Sequence, residues 1–412
     1  MRPRILYVQY TDPSAYPPLE HSARLLADAG WEVLFLGAAA PDTAGLRLRP
    51  HPRVALRRLP YCPAGWRQKA HYAWFALWAL GWALRWRPRW VYASDHLACP
   101  VALLLSLLPG VRVVYHEHDA PVPPPGGAVS AFTRGCLAAR RRLAARAAVC
   151  VLPNAERARR FAREVGRAAG EGVLCVWNCP AAAELGPPRA PRPPPAAPPG
   201  DAGDAGDAGD TGKEPPLWVL YHGSVVPARL PPAVLEALAR LPEAVRLRVV
   251  GYETVGAGGY VGELRALARR LGVAHRVHFV NRVSRDDLMA QCRECDVGLS
   301  LVDPEVTDDN LRFLVGASNK PFDYLACGLA LLVPDLPDWR RLYVAPGYGL
   351  ACDPGDPGSI AAALGWFLAH PGELRAMGER GRRRIAAEWH YEARFAPVLA
   401  RLTGSAGGQP GR

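Results

Sequence analysis

The sequence has no apolar run long enough to cross a membrane and no ordered set of cysteines. Its most apolar stretch, residues 70–84, is about 15 residues long, whereas a spanning helix needs roughly 20. The ten cysteines are scattered, and the close pair Cys292 and Cys295 has no second pair with which to hold zinc. Reduced thiols in a cytoplasm are therefore expected. The basic start, residues 1–4, leads directly into a strand-like run and predicts no signal peptide.

Acidic residues are also scarce relative to basic ones. The chain has 50 Lys and Arg against 38 Asp and Glu, a formal net charge of +12. Such a balance favours anionic partners such as phosphates or an anionic membrane surface. We expect no nucleic-acid partner, because no DNA- or RNA-binding signature is present and aromatic residues are not interleaved with the basic runs.

One apolar segment combines regularly spaced tryptophans with arginines. The tryptophans recur every four residues, which places them along one drifting stripe of a helix; they are Trp74, Trp78, Trp82 and Trp86. Arg85, Arg87 and Arg89 overlap the end of the stripe and follow it. Tryptophan beside arginine suits a helix that lies in a lipid headgroup layer. We therefore expect a cytoplasmic protein with peripheral contact to the inner face of the plasma membrane, with a buried core helix as the alternative.

Short β-rich runs alternate with helical stretches on both sides of a low-complexity segment. This alternation predicts an α/β fold with two doubly wound parallel sheets. The predicted strands are 5–8, 33–36, 90–93, 111–115, 149–152 and 173–177, then 218–221, 247–250, 277–280, 297–301 and 331–333. The predicted domains are 1–180 and 217–385, separated by a Pro/Ala/Gly-rich disordered spacer at 181–216. A last helix, 386–403, is expected to pack back towards the first domain.

Two histidines follow a predicted strand of the first domain. His116 and His118 lie with Glu117 and Asp119 at the carboxyl end of that strand, where active sites of parallel sheets are built. An imidazole there can donate a hydrogen bond to a sugar hydroxyl or to a developing charge. We interpret both histidines as candidate catalytic residues. A metal held by the His-x-His pair and an ordinary strand-end histidine are the alternatives.

The loops at the starts of the two predicted sheets differ. After the first strand, residues 9–14 contain no glycine, which disfavours a dinucleotide fingerprint. In the second domain Gly223 would let the backbone approach a ligand, and Ser224 and Arg229 could hold diphosphate oxygens. A tight turn before a helix is the alternative interpretation.

The segment 318–328 is the most informative part of the chain. Ser318 or Asn319 can cap a helix and Pro321 fits its first turn, while Gly328 can end it. Such a helix start offers free N–H groups and a positive dipole end to a phosphate. Lys320 adds a positive charge there, and Asp323 adds a carboxylate that can accept hydrogen bonds from a diol. An ordinary capped helix is the alternative.

The ordered set of motifs resembles glycosyltransferase family 4, whose fold is the two-domain GT-B fold. Segment 318–328 is similar to the Ser-Asn-Lys-x-Phe-Glu-Tyr-x-Ala-x-Gly block of its polysaccharide-biosynthesis branch. Further likenesses, over nearly the whole chain outside the spacer, are 29–33, 113–119, 176–180, 248–251, 277–282 and 295–299. The resemblance implies two facing Rossmann-like domains, with the acceptor on the first and a nucleotide sugar on the second.

The resemblance also implies a reaction and a set of roles. Retaining transfer from a nucleotide-diphosphate sugar to a saccharide or lipid-linked acceptor is expected, without a metal or another cofactor. Asp323 would take the ribose-binding role, with Arg229 and Lys320 neutralising the leaving diphosphate. His118 would contact the donor sugar, and the region from Arg282 to 284 would border the base.

Three departures from the family pattern leave other functions open. The first acid of the family's Glu-x7-Glu is Val315 here, the second is Asp323, and Ala330 replaces a proline. A catalytically inactive relative that docks on a membrane assembly would predict no turnover with any donor. A sugar-nucleotide epimerase on the same fold would convert the donor without an acceptor.

Overall fold

The computed structural model describes residues 2–40, 43, 45–121, 129–167, 172–189, 215–254 and 257–404. The chain forms two compact units. The first draws on 1–181, 308–317 and 390–412, and the second on 182–307 and 318–389. Of the predicted spacer, residues 190–214 lie outside the described residues, whereas 182–189 belong to the second unit.

The first unit is built on a seven-stranded, all-parallel sheet of order β3-β2-β1-β4-β5-β6-β7. Its strands are β1 (Arg4–Val8), β2 (Glu32–Ala38), β3 (Val54–Leu59), β4 (Trp90–Ser94), β5 (Arg112–His116), β6 (Val149–Leu152) and β7 (Val173–Cys175). Its helices are α1 (Pro17–Asp28), α2 (Trp66–Trp86), α3 (Cys99–Leu105), α4 (Ala131–Arg146), α5 (Ala155–Glu164), α9 (Asp309–Arg312) and α14 (Tyr391–Gly404).

Each face of this sheet is covered by its own apolar cluster, because side chains alternate between the faces along every strand. Ile5, Tyr7 and Tyr92 pack with residues of α1 and α14. Leu6 and Val91 point the other way, into a cluster with residues of α2 to α5. The last helix of the chain is therefore part of the first unit's core.

The second unit has a six-stranded, all-parallel sheet of order β10-β9-β8-β11-β12-β13. Its strands are β8 (Leu217–Ser224), β9 (Val245–Tyr252), β10 (Val277–Val280), β11 (Val297–Leu299), β12 (Ala330–Pro334) and β13 (Gly349–Cys352). Its helices are α6 (Ala233–Ala239), α7 (Tyr260–Arg270), α8 (Arg285–Arg293), α10 (Asn319–Ala326), α11 (Pro337–Trp339), α12 (Pro357–Ala369) and α13 (Pro371–Ala387). This is the strand order of doubly wound nucleotide-binding sheets.

Shorter turns complete the two units. They are the 3-10 turns Pro13–Ala15, His96–Ala98, Ala182–Glu184 and Ala274–Arg276 and the π-helical turn Arg340–Val344. The predicted α/β class with two parallel, Rossmann-like sheets is confirmed. In both units the strand order reverses beside the first strand, between β1 and β4 and between β8 and β11. Ligands of open parallel sheets bind outside the strand ends at such points.

Candidate functional site

A buried lysine lies against the glycine that ends the first strand of the second unit. Lys320 is in the first turn of α10 and is 7% exposed. Gly223 has a φ of 104°, and a Cβ built there would lie 3.1 Å from the Lys320 Nζ. The left-handed backbone therefore favours glycine, and a Cβ would crowd the end of the lysine side chain. That Gly223 also lets the backbone approach a ligand stays a prediction.

The charge of Lys320 is only partly compensated. Its Nζ lies 5.2 Å from the ring centroid of Tyr221, and the charge of Asp323 favours the ammonium without forming an ion pair with it among the described contacts. Burial, and then the charge of Arg229, outweigh Asp323 and hold the pKa of the Lys320 ammonium well below its usual range. A buried cation of this kind gains stability from an anion that reaches it.

Arg229 and Ser224 lie beside this lysine. The Arg229 guanidinium donates a hydrogen bond of 3.4 Å to the Ser224 Oγ. Both residues are half-buried; Ser224 is the last residue of β8, and Arg229 lies five residues beyond it. Two cations, a hydroxyl and a glycine backbone thus meet at the carboxyl end of β8, next to the start of α10. This arrangement can bind an anion with several oxygen atoms, such as a diphosphate.

Asp323 lies one turn further into α10 and is fully buried. Both of its carboxylate oxygens accept hydrogen bonds of 2.7 Å from Arg285. Arg285 also donates two bonds of 3.0 Å to Glu184. The Nε2 of His222 lies 3.4 Å from one Asp323 oxygen, and burial holds the pKa of this imidazole well below its usual range. The sequence did not indicate Arg285 or Glu184, since their contacts join residues far apart in the chain.

Asn319 and Arg282 complete the residues predicted to bind the donor. Asn319 is the first residue of α10 and is half-buried. Arg282 stacks on the ring of Tyr252, with its guanidinium carbon 3.9 Å from the ring centroid. Because Tyr252 pairs with Ser224 in the parallel register of β9 and β8, Arg282 lies at the same edge of the sheet as Gly223.

The two predicted catalytic histidines adjoin each other in the first unit. Their ring centroids are 3.9 Å apart. His116 is fully buried, and a 2.6 Å hydrogen bond joins its Nδ1 to the Tyr92 hydroxyl. His118 is slightly more exposed, and Arg157 donates a 2.7 Å bond to its carbonyl. Burial, and then the charge of Arg157, lower the pKa of the His118 imidazole to about 3. Both rings are therefore neutral at physiological pH.

The acidic residues Asp95 and Glu117, which lie near these histidines, accept hydrogen bonds from different groups. The carboxylate of Asp95 accepts hydrogen bonds from the His118 and Asp119 backbone N–H groups, at 2.7 and 3.4 Å. Burial, and then the charge of Asp119, raise the pKa of Asp95 to about 8. Glu117 points to the other side of the sheet, where Tyr115 and Arg140 donate hydrogen bonds to it. Among the described residues, no three His, Cys, Asp or Glu side chains are grouped to hold a metal ion.

The tryptophan stripe is only partly on the surface. Trp74 is 58% exposed, whereas Trp78, Trp82 and Trp86 pack against the apolar cluster under α2. The membrane contact predicted for the four tryptophans is therefore not supported for these three, because a four-residue step turns about 40° around a helix and carries them towards the core. The other large exposed apolar side chains of α2 are Trp66, Leu77 and Leu84. No helix in the described part of the chain is both long and apolar enough to cross a membrane.

Both halves of the chain match glycosyltransferase family models. A glycosyl transferase 4-like domain matches residues 19–177, and a glycosyl transferase-like domain matches residues 231–400. Two curated proteins are similar over part of the chain. D-inositol 3-phosphate glycosyltransferase of Xylanimonas cellulosilytica is 32% identical over 185 residues, which is 44% of this chain and 40% of that protein. GDP-mannose-dependent alpha-(1-6)-phosphatidylinositol monomannoside mannosyltransferase of Mycolicibacterium smegmatis is 28% identical over 166 residues, 40% of this chain and 42% of that protein.

Solved structures share the fold over nearly the whole chain. Sucrose-phosphate synthase of Thermosynechococcus elongatus has a TM-score of 0.70 at 18% identity and covers 98% of this chain and 100% of its own. HepE of Anabaena, solved with UDP and glucose, has a TM-score of 0.67 at 16% identity with the same coverage. The fold is thus that of the GT-B glycosyltransferases. In sequence, both halves of the chain are similar to glycosyltransferases, the first half to the 4-like type. The chain matches less than half the length of those curated relatives.

Proposed function

We propose that the protein is a retaining glycosyltransferase of cell-surface polysaccharide or glycolipid synthesis. It transfers a sugar from a nucleotide-diphosphate donor to a saccharide or lipid-linked acceptor, without a metal or another cofactor. The observation that carries this proposal is the buried Lys320 ammonium, which lies against Gly223 with no described carboxylate as its partner. The relatives named for inositol phosphate and for a GDP-mannose donor support a nucleotide-sugar reaction.

The second unit would hold the leaving diphosphate. Negative charge grows on the diphosphate as its bond to the sugar breaks, and fixed positive groups lower the energy of that state. Lys320 and Arg229 supply two such groups, and the N–H groups at the start of α10 supply partial charges. These groups can carry the role that a divalent cation plays in other phosphate-transfer sites.

Asp323 would contact the ribose in this proposal, with Arg285 orienting its carboxylate. Each oxygen of a carboxylate has two lone-pair positions, so an oxygen bonded to Arg285 can still accept from a ribose hydroxyl. Because Asp323 is fully buried, that contact requires a small shift of α10 or of Arg285. Asn319 and Arg282 would border the nucleotide, and His118 with His116 would face the sugar that is transferred.

An anionic membrane surface is the partner that we propose for α2. Its exposed apolar residues, Trp66, Trp74, Leu77 and Leu84, lie on a helix that contains no acidic residue. Exposed basic residues flank them, namely Arg67, Lys69, Arg85, Arg87 and Arg89. Apolar side chains between clusters of cations match the interface of an anionic bilayer, whereas a protein partner would not require cations at both ends.

Donor turnover tests the proposed reaction. The purified protein is incubated with UDP-glucose or GDP-mannose, with and without a lipid extract as the acceptor source, and products are followed by mass spectrometry. A transferase moves sugar to the extract only, and Lys320→Met abolishes this while Arg270→Met, on the exposed end of α7, does not. Conversion of the donor without extract would instead indicate an epimerase, and no conversion of either donor would favour an inactive relative.

A further inference from the structure

Three buried polar residues form a row across neighbouring strands of the first unit. Ser94, at the end of β4, pairs in register with His116, at the end of β5. Gln9 follows β1 directly, one position beyond the registered pair Val8 and Ala93, so it lies next to Ser94. The row crosses from β1 to β4, where the strand order of this sheet reverses. This is the place at which ligands of open parallel sheets bind.

The row shares one face of the sheet with His118. Tyr7, Tyr92 and Val114 lie two residues before Gln9, Ser94 and His116, and all three belong to the apolar cluster under α1 and α14. Because side chains alternate along a strand, the row and His118 face the same side. Gln9 and Ser94 are each 2% exposed, His116 is fully buried, and His118 is 6% exposed.

Each of these side chains has polar atoms without a hydrogen-bond partner in the described protein. They are the Oε1 and Nε2 of Gln9, the Oγ of Ser94 and the Nε2 atoms of His116 and His118. Buried polar groups without partners are costly, and native proteins satisfy nearly all of them with protein, water or ligand. Several such groups on adjacent strand ends indicate that a polar ligand forms hydrogen bonds with them.

Other polar groups of the same core have partners within the protein. The Tyr7 hydroxyl donates to the Ser22 Oγ at 3.0 Å, and Ser22 donates to the Leu19 carbonyl at 3.0 Å. Tyr7 lies on the same face of the sheet as the row, two residues before Gln9, and Ser22 and Leu19 lie on α1, which covers that face. The Tyr391 hydroxyl of this core also has no described hydrogen-bond partner, so the row is distinguished by several such groups on adjacent strand ends.

The row is suited to uncharged hydroxyl groups. An amide and a hydroxyl each donate and accept, and each neutral imidazole offers one nitrogen. Burial lowers the pKa of both histidines, and burial raises the pKa of the neighbouring Asp95 to about 8. The row itself carries no cation, and the neighbouring Arg157 donates to the His118 carbonyl, in contrast to the Lys320 and Arg229 cluster of the second unit.

We propose that Gln9, Ser94, His116 and His118 form a subsite that binds the hydroxyl groups of an uncharged sugar residue, with Gln9 and Ser94 as its specificity-determining residues. The subsite deepens the proposed glycosyltransferase function and rests on it. The sugar is either the one carried by the nucleotide donor or one belonging to the acceptor. His118 is the most exposed of the four, so it marks the side of the row nearest to solvent.

Two substitutions remove the polar groups while keeping the packing. Gln9→Met keeps the side-chain length, and Ser94→Ala removes one oxygen. The matched control is Ser106→Ala, because Ser106 lies beyond the end of α3 and its hydroxyl already donates to the Leu103 carbonyl at 2.7 Å. Titration calorimetry with UDP-glucose, GDP-mannose, UDP, GDP, glucose and mannose measures binding to each variant.

Binding to the sugar-containing probes decides the proposal. Each variant is expected to bind the sugar probes about 2- to 12-fold more weakly, the loss of one hydrogen bond, while UDP and GDP bind as to wild type. Weaker binding of the nucleotide sugar assigns the subsite to the donor sugar; weaker binding of only the free sugar assigns it to an acceptor. Wild-type binding of every sugar probe by both variants, or no sugar binding by wild type, overturns the proposal.

Thermal unfolding without ligand separates the subsite from a structural role. Gln9→Met and Ser94→Ala are expected to unfold at the wild-type temperature or above it, because they remove polar groups that have no partner. Ser22→Ala removes a bonded hydroxyl and is expected to unfold at a lower temperature. Destabilisation of both row variants to the extent of Ser22→Ala would contradict the subsite. Failure of wild type to bind any nucleotide overturns the proposed function, while the free-sugar titrations and this comparison still decide on the subsite.

Discussion

Arg285 donates two hydrogen bonds of 2.7 Å to the two carboxylate oxygens of Asp323, in the interior of the second unit. The same guanidinium binds Glu184, which is also buried. One cation thus joins the segment that follows β7, the start of α8 and the predicted ribose-binding residue of α10. The position of Asp323 depends on this pair, so that stability and donor binding are linked at one residue.

Breaking this pair is expected to destabilise the second unit strongly. Arg285→Met leaves two buried carboxylates without their cation, and we expect a loss of about 3–5 kcal/mol in the free energy of unfolding. Urea denaturation followed by circular dichroism measures it. The matched control is Arg340→Met, whose partner Asp335 is exposed, and its expected loss is much smaller because water screens this pair. Equal losses in the two variants would contradict the buried role of Arg285.

Nucleotide binding is expected to be accompanied by proton uptake at Lys320. The pKa of this ammonium is lowered in the free protein, and a bound diphosphate favours its charged form and raises the pKa again. The proton uptake is measured by calorimetry, as the dependence of the binding heat on the ionisation enthalpy of the buffer. The titrations are repeated at increasing pH, because uptake is largest above the pKa of Lys320 in the free protein. Lys320→Met should abolish it. An unchanged buffer dependence in Lys320→Met would exclude this lysine as the source.

Lys320→Met is also expected to separate stability from binding. Methionine fills a similar volume and removes a buried charge that has no carboxylate partner, so the unfolding temperature without nucleotide should not fall. Affinity for the nucleotide diphosphate should fall about 10- to 100-fold, the loss of a charge-assisted hydrogen bond. Calorimetry and thermal unfolding of the same preparation measure both. A variant that loses stability but retains affinity would contradict the anion site.

The stability of the first unit is expected to depend on pH through Asp95. Its pKa is about 8 in the folded state and about 4 in the unfolded chain. The folded state therefore binds more protons between these values, and the contribution of Asp95 to stability falls as pH rises from about 4 to 8. Asp95→Asn should remove this part of the decline. From pH 5 through pH 7 to pH 8, the urea midpoint of unfolding should therefore fall further for wild type than for the variant. Identical pH profiles of the two proteins would contradict the prediction.

Membrane association is expected to depend on Trp74 and not on Trp78, Trp82 and Trp86, the other tryptophans of the four-residue pattern. Trp74→Ser and Leu77→Ser should reduce sedimentation with vesicles of phosphatidylglycerol and phosphatidylcholine. Arg85→Gln should weaken that binding by about 1 kcal/mol and have no effect on vesicles of phosphatidylcholine alone. Arg270→Gln, on the second unit, is the charge control. Wild-type binding by both apolar variants would exclude this face.

Most of the fold could be predicted from local sequence patterns. The segment 318–328 forms the short helix α10, and Gly328, with a φ of 74°, follows its end as expected. Two strands escaped prediction. β3 (Val54–Leu59) is a half-buried edge strand that carries two arginines, and β13 (Gly349–Cys352) is short and begins with glycine. Neither shows the apolar run that identifies the buried strands of a parallel sheet.

The parts of the site that depend on tertiary contacts could not be predicted. Lys320 and Gly223 were singled out separately, but only the packing of α10 on β8 shows that they touch. Arg285 gave no sequence signal, because its partners lie 38 and 101 residues away. The sequence did not indicate Gln9 either, since an isolated glutamine after a strand is common. Only the absence of described hydrogen-bond partners for its buried amide distinguishes it.

A thermal-shift titration with UDP, GDP, dTDP and ADP, each with and without magnesium, tests the central claim most directly. A ligand that binds only the folded state stabilises it by about 2.7 kcal/mol at a hundredfold excess over its dissociation constant. We predict a rise in unfolding temperature with at least one of these nucleotides, independent of magnesium and clearly smaller in Lys320→Met at the same ligand concentration. The absence of a shift with all four, or an undiminished shift in Lys320→Met, would contradict a nucleotide-sugar site at Lys320.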